Sequence, residues 1–300
     1  MSSNNDSSVV PDHLSGGRPL KRVVSMTGAY GYRNHTVKSI QELKGKEQLT
    51  QTLPFFVEEA VAAEEAEVDM LNVRYDPKNP LFARDIRRAA PKTFMSFVMP
   101  ILSVTSEKEV LEFAFRAMED GADSIICQSS IRFIEALAET GVPVQGHVGL
   151  VPRKSTWTGG LRAVGKTLDE AIAIFRSIKE LESAGAWAVE CEVIPSAILR
   201  EISKRTSLVT VSIGSGSGGD VQLLFAQDIL GDGKPPFPRH SKQYCNLLKL
   251  REQMQKMRVQ AFKEFVREVQ SGVFPSSEYE VALKNDIIKD FVKQIDVNST

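Results

Sequence analysis

The chain has 300 residues, a formal net charge of −1, 42% hydrophobic residues and 25% charged residues. Those proportions are ordinary for a globular protein, and the near-neutral balance excludes a basic field for nucleic acid or anionic membranes. No apolar run approaches the ~18 residues of a membrane span, and a single α/β barrel fits within this length.

Residues 1–20, "MSSNNDSSVVPDHLSGGRPL", are rich in Ser, Asn and Gly and show no apolar signal segment, so a disordered leader is predicted. Short apolar runs then alternate with helical patterns. Predicted strands are "RVVSMTGAY" (22–30), "VDMLNVR" (68–74), "TFMSFVMP" (93–100), "SIICQS" (124–129), "VPVQGHVG" (142–149), "AWAVECEV" (186–193), "LVTVSIGSG" (208–216) and "AQDILG" (226–231). Most are almost continuously apolar, as strands covered on both faces tend to be.

Helix signals lie between them. Val110, Leu111, Ala114, Phe115 and Met118 share one face before Gly121, and "TLDE" (167–170) is a capping-box pattern leading into Ile174, Phe175, Ile178 and Leu181. Eight strand–helix units predict a (β/α)8 TIM barrel over residues 21–240, with an open doubly wound sheet as the alternative. Residues 241–300 are predicted to be C-terminal helices packing on the barrel or on a neighbouring subunit. In the first of these, to Ser271, Leu247, Leu250, Met254, Met257, Ala261 and Phe265 form one apolar stripe; "SSEYE" (276–280) is read as the start of a second.

Barrel enzymes keep their chemistry at the C-terminal ends of the strands. Read there, the chain offers Arg74 and Tyr75, then Gln128 with Ser129 and Ser130, then His147, then Glu190 and Glu192, then the loop "GSGSGGD" (214–220) with Ser215 and Gly216. Strand alternation puts Glu190 and Glu192 on one face, opposite Val189, Cys191 and Val193. Arg74, directly after "MLNV", is suited to a carboxylate partner. Gly146 and Gly149 flanking His147 suggest close backbone approach. "GSGSGGD" fits neither Walker A nor GxGxxG, although its amides could hold a carboxylate. "VRYDPKNPLFARDIRR" (73–88) and "PRKSTWTGG" (152–160) are read as mobile loops over the mouth. Cys127, Cys191 and Cys245 show no metal-binding spacing and are read as reduced thiols.

These stretches resemble a known family. "KRVVSMTGAYGY" (21–32), "GVPVQGHVGLVPRK" (141–154), "TGGLRAVGKT" (158–167), "LESAGAWAVECEVIP" (181–195), "SIGSGSGGDVQLL" (212–224) and "REVQSGVFPSSEY" (267–279) are together similar to ketopantoate hydroxymethyltransferase, of the phosphoenolpyruvate mutase/isocitrate lyase superfamily. The resemblance implies an oligomeric, cytosolic (β/α)8 barrel that transfers a hydroxymethyl group from methylenetetrahydrofolate to 3-methyl-2-oxobutanoate. It puts the family's catalytic glutamate on Glu192 and its histidine on His147. It also implies a divalent metal on two aspartates after the second and third strands, assisted by a lysine and a glutamate on the fourth. Those positions here read Arg74, Val98, Ile126 and Gln128, and "SIQELKGKEQLTQTLPFF" (39–56) is read as added length after the first strand.

The expected protein is therefore a divergent enzyme of this family, a lyase or transferase doing enolate or aldol-type C–C chemistry on a small 2-oxo acid without bound metal. Glu192 and His147 would be catalytic, with Arg74, Tyr75, Gln128, Ser215 and Gly216 contacting substrate. Magnesium and methylenetetrahydrofolate belong to the alternative, the parent transferase with relocated ligands; a non-catalytic barrel is the other. The expected partner is a small carboxylate, with no nucleic acid and no membrane, in a cytoplasmic homo-oligomer assembled through the C-terminal helices.

Overall fold

Lys21–Val24 (β1) and Tyr30–Arg33 (β2) pair antiparallel in a two-stranded hairpin, the first feature of the computed structural model, which describes residues 19–297. Most of the expected leader (1–20) lies outside those residues. The segment 22–30 was expected as the first barrel strand. Its turn, closed by Ser25 and Ala29, folds it back on itself instead.

After α1 (Val37–Leu43) strands and helices alternate as far as β9: β3 (Leu49–Leu53), α2 (Val57–Glu65), β4 (Met70–Arg74), α3 (Leu81–Ala89), β5 (Phe94–Val98), α4 (Glu107–Glu119), β6 (Ser124–Ile126), α5 (Ile131–Glu139), β7 (Val144–Gly149), α6 (Leu168–Ser183), β8 (Ala188–Glu192), α7 (Ser196–Ser203) and β9 (Val209–Ile213); only a 3-10 turn at Gly216–Gly218 then separates β9 from β10 (Val221–Phe225). The eight strands β3 to β10 are parallel and close into a barrel, with β10 hydrogen-bonded to β3. The barrel is the expected one, but its first and last strands are not. The first lies within residues 39–56, read as added length, and the last is "VQLLF". "AQDILG" supplies a short helix, α8 (Ala226–Leu230).

Alternation divides each strand between two cores. Leu71, Val73, Met95, Phe97, Val189 and Cys191 face outward into the layer shared with Ala114, Ile134, Ile178 and Leu181 of the helices. Leu49, Met70, Phe94, Ala188, Val209 and Val221 form a separate cluster with Trp187 and Ile40. By the same alternation Arg74, Val98, His147, Glu190 and Glu192 point inward toward the mouth. At the opposite end Arg33 and Arg87 both hydrogen-bond Asp123, at 2.8 and 2.6 Å, which ties the hairpin to the start of β6. Burial lowers the Arg87 guanidinium to about 10, with Asp123 opposing the shift.

The helix ends follow local chemistry. Thr167 accepts from the Glu170 amide at 3.3 Å, as a cap should. The Glu170 carboxylate reaches past the cap to the amides of Gly165 and Lys166, so only half of the expected box forms. Residues 81–88, expected within a mobile loop, are helical in α3.

A second unit begins after Cys245. It contains α9 (Leu247–Ser271), capped by Asn246 and ended by left-handed Gly272, and α10 (Asn285–Val297). The expected helix start at 276–280 is a single 3-10 turn, whose Tyr279 packs on Phe274, itself edge-on to Phe265.

Candidate active site

Parallel pairing of β7 and β8 builds the centre of the site. His147 is the register partner of Glu190, and Gly149 of Glu192. The imidazole is sealed, with its side chain 1% exposed; Nε2 lies 3.2 Å from Glu192 Oε2, and Nδ1 lies 3.9 Å from Glu190 Oε1. Burial alone would depress the imidazole, but the charges of Glu190 and Glu192 outweigh it and raise it above its ordinary value. Burial likewise pushes the Glu190 carboxyl up, with His147 opposing and Glu192 adding to the rise.

Gly149 lets β8 approach β7, and Gly146 lets α6 lie close against β7. A Cβ on Gly149, which sits at φ +86°, would stand 2.3 Å from the Glu192 carbonyl oxygen, and one on Gly146 would stand 2.6 Å from Leu181. The Glu192 carbonyl accepts from Leu150 at 2.8 Å. Directly after Glu192, Val193 holds φ at +52°, a strained setting for a β-branched residue, where its amide donates to Ile213 at 2.9 Å.

Arg74 ends β4, four strands around the eight-stranded ring from β8, and so stands across the mouth from Glu192. Its guanidinium lies over the Phe55 ring at 4.2 Å. A cavity of about 630 Å³ spans the two walls, lined by Arg74, Gln128, His147, Glu190, Glu192 and Arg153, among others. The Gln128 carbonyl accepts from Lys154 at 2.6 Å, which leaves its amide side chain to the cavity.

Of the other expected contacts, Tyr75 borders this cavity, while Ser215 and Gly216 border its neighbour. Tyr75 edges the cavity, but alternation turns its ring outward; it packs on Phe97 and Phe113, and its hydroxyl donates to Asp120 at 2.6 Å. Ser215 Oγ accepts from the Ile194 amide and donates to the Cys191 carbonyl, each at 2.8 Å, which fixes the end of β8. Ser215 and Gly216 line a neighbouring cavity of about 690 Å³ with Lys166 and Arg239, and His240 borders both cavities. Cys127 and Cys191 are buried thiols pushed up by that burial. Sequence reasoning passed over Arg153, whose signal was a second guanidinium only four residues past the end of β7.

Two sets of positions bear on metal binding. Arg74 pairs in register with Val98, and Val98 with Ile126, so three of the four positions that resemblance assigns to the family's metal form one row across β4, β5 and β6, and the fourth, Gln128, follows two residues past the end of β6. That row presents a guanidinium and two aliphatic side chains. Magnesium requires oxygen donors, so the family's cation does not fit there. Sequence reasoning assigned no metal ligand; the structure gathers one donor atom each from His147, Glu190 and Glu192 within 4.8 Å of one another, a set that could hold a metal ion.

The profile of the ketopantoate hydroxymethyltransferase family matches residues 78–277. The chain is 32% identical over 263 residues to the 3-methyl-2-oxobutanoate hydroxymethyltransferase of Thermotoga neapolitana, covering 81% of this chain and 95% of that protein. It is 31% identical over 277 residues to the enzyme of that name from Halalkalibacterium halodurans, covering 85% and 97%. The solved structure of 2,3-dimethylmalate lyase, a PEP mutase/isocitrate lyase superfamily member, overlays with a TM-score of 0.46 at 11% identity, over 88% of this chain and 98% of that one. An eight-stranded parallel barrel with a charged mouth defines the class of barrel enzymes. Within it, this chain belongs to the ketopantoate hydroxymethyltransferase family and is a divergent member of it. None of the helices among the described residues is long and apolar enough to cross a membrane.

Proposed function

We propose that the protein removes a proton alpha to the oxo group of a small 2-oxo acid and uses the resulting enolate for C–C bond chemistry, without a cation in the row Arg74, Val98 and Ile126. The observation that carries this reading is the placement of Glu192 and Arg74 on opposite walls of one cavity. Glu192 accepts the proton, the C–H electron pair becomes the enolate double bond, and negative charge collects on the former oxo oxygen. Arg74 faces that charge from across the mouth, a task a metal performs in other sites. His147, favoured in its charged form, orients the Glu192 carboxylate at 3.2 Å. Gln128 supplies a neutral amide to the substrate.

The test is solvent deuterium exchange into bound 3-methyl-2-oxobutanoate. Glu192→Gln keeps the shape and removes the base, and exchange should slow by about a hundredfold to ten-thousandfold while the fold is kept. Exchange at the wild-type rate would remove the mechanism. A second reading is favoured by 32% identity to enzymes named 3-methyl-2-oxobutanoate hydroxymethyltransferase. In it the parent transfer from methylenetetrahydrofolate survives with relocated magnesium ligands, and magnesium-dependent product formation from the two substrates would select it. The pairing of His147 with Glu192 speaks against a non-catalytic barrel. As part of the proposal, the protein works in the cytoplasm as a homo-oligomer joined through its C-terminal helices, a reading supported by the apolar stripe of α9.

A further inference from the structure

Two guanidiniums share the mouth cavity, and neither has a carboxylate partner among the described residues. Arg74 comes from the end of β4, and Arg153 from the 3-10 turn at 152–154 that follows β7. They come from strands three positions apart on the ring, and the loop after β7 brings Arg153 to the same cavity that Arg74 lines. They are close enough for the charge of Arg153 to join burial in lowering the Arg74 guanidinium. The cavity's carboxylates are engaged elsewhere. Glu190 and Glu192 flank His147, burial pushes the Asp228 carboxyl up with the charge of His240 opposing, and Asp76 accepts from the Lys78 amide at 2.9 Å.

Like charges held near each other repel, and the repulsion is relieved when anions lie against both. The Arg74 guanidinium carbon lies over the Phe55 ring at 4.2 Å and the group has no ion-pair partner among the described residues, so its N–H groups remain available for bidentate contact with a carboxylate. A monocarboxylate would satisfy one guanidinium and leave the other facing the cavity unpaired. Val98 and Ile101 line the same cavity and suit a short carbon chain.

We propose that Arg74 and Arg153 form a paired anion site and that the substrate is a short 2-oxo dicarboxylate, with Arg74 spanning the oxo oxygen and the carboxylate next to it and Arg153 holding the distal carboxylate. The carbon between the two carboxylates then faces Glu192 across the mouth. This deepens the proposed proton abstraction and rests on it for the oxo group, but not for the second anion.

Calorimetric titration with four ligands separates the two claims: 2-oxoglutarate, glutarate, 3-methyl-2-oxobutanoate and 3-methylbutanoate. Each dianion should bind about tenfold or more tightly than its monoanion counterpart, equivalent to about 1.4 kcal/mol, and the difference should shrink as salt rises. Arg153→Gln should erase the dianion preference, and Arg153→Lys should keep part of it. Equal affinity for dianions and monoanions in the wild type would overturn the proposal, as would a preference that survives Arg153→Gln. Dianion preference without any preference for the oxo compounds would sustain the paired site and sink the 2-oxo acid reading.

Discussion

His147 and Glu190 are register partners on adjacent parallel strands, with the imidazole Nδ1 3.9 Å from the carboxylate. Both groups sit above their ordinary values, His147 because two carboxylates outweigh its burial and Glu190 because burial outweighs His147. A folded-state pKa above the unfolded one gives stability that is complete below the unfolded value and lost as pH rises through the folded one. The loss therefore begins above 4.5 for Glu190 and above 6.5 for His147. Glu190→Gln should move the NMR titration of His147 to lower pH and flatten the fall in Tm above neutrality. An unmoved His147 titration would show that Glu190 does not hold the imidazole charged.

The row formed by Arg74 and Val98 gives a gain-of-function prediction. Neighbouring strands lie about 4.8 Å apart, so Arg74→Asp with Val98→Asp would set two carboxylates side by side. The double variant should bind manganese, seen by loss of the free-ion EPR signal, while the wild type shows no binding in this row. EDTA should leave wild-type deuterium exchange unchanged. Exchange abolished by EDTA and restored by magnesium would promote the parent transferase.

Tyr75 was expected at the substrate and instead holds Asp120, which Arg84 also contacts at 2.6 Å. Tyr75→Phe should cost about 1.5–3 kcal/mol, the range for a hydrogen bond to a charged group, with exchange kinetics unchanged. A raised KM with unchanged Tm would return Tyr75 to the substrate.

Gly149→Ala places a Cβ 2.3 Å from the Glu192 carbonyl oxygen at a positive φ. Backbone strain and overpacking together predict a loss of about 2–5 kcal/mol, read by chemical denaturation. Because the clash falls on the residue proposed as base, exchange should fall even at temperatures where the variant stays folded. Wild-type exchange in a destabilised variant would mean that the β8 backbone does not set the Glu192 position.

The barrel was legible because most of its strands are apolar runs separated by capped helices, and the ends of β7 and β8 declared His147 and Glu192. The first strand was hidden for a physical reason. Gln51 and Thr52 of β3 are buried at 3% and 4% exposure, and Gln51 donates to Asn72 at 2.6 Å inside the barrel. Buried polar residues on both faces remove the apolar signal that marks a strand. The hairpin segment carried that signal without a place in the barrel. Tyr75 was read only as a substrate contact, although alternation from Arg74 already turned its ring to the other face. Arg153 stayed hidden because its relation to Arg74 depends on a loop path that no periodicity encodes.

The pairing of β10 with β3 also bears on synthesis. A ribosome releases Leu49–Leu53 long before Val221–Phe225, and until the latter emerge one edge of β3 has no partner. At translation speeds that wait is on the order of ten seconds. An unpaired edge is where nascent chains stick to one another. The alternating Thr and Gln of "LTQTL" make this edge a poor template for such association, so the polarity that conceals the strand from a reader also shields the growing chain.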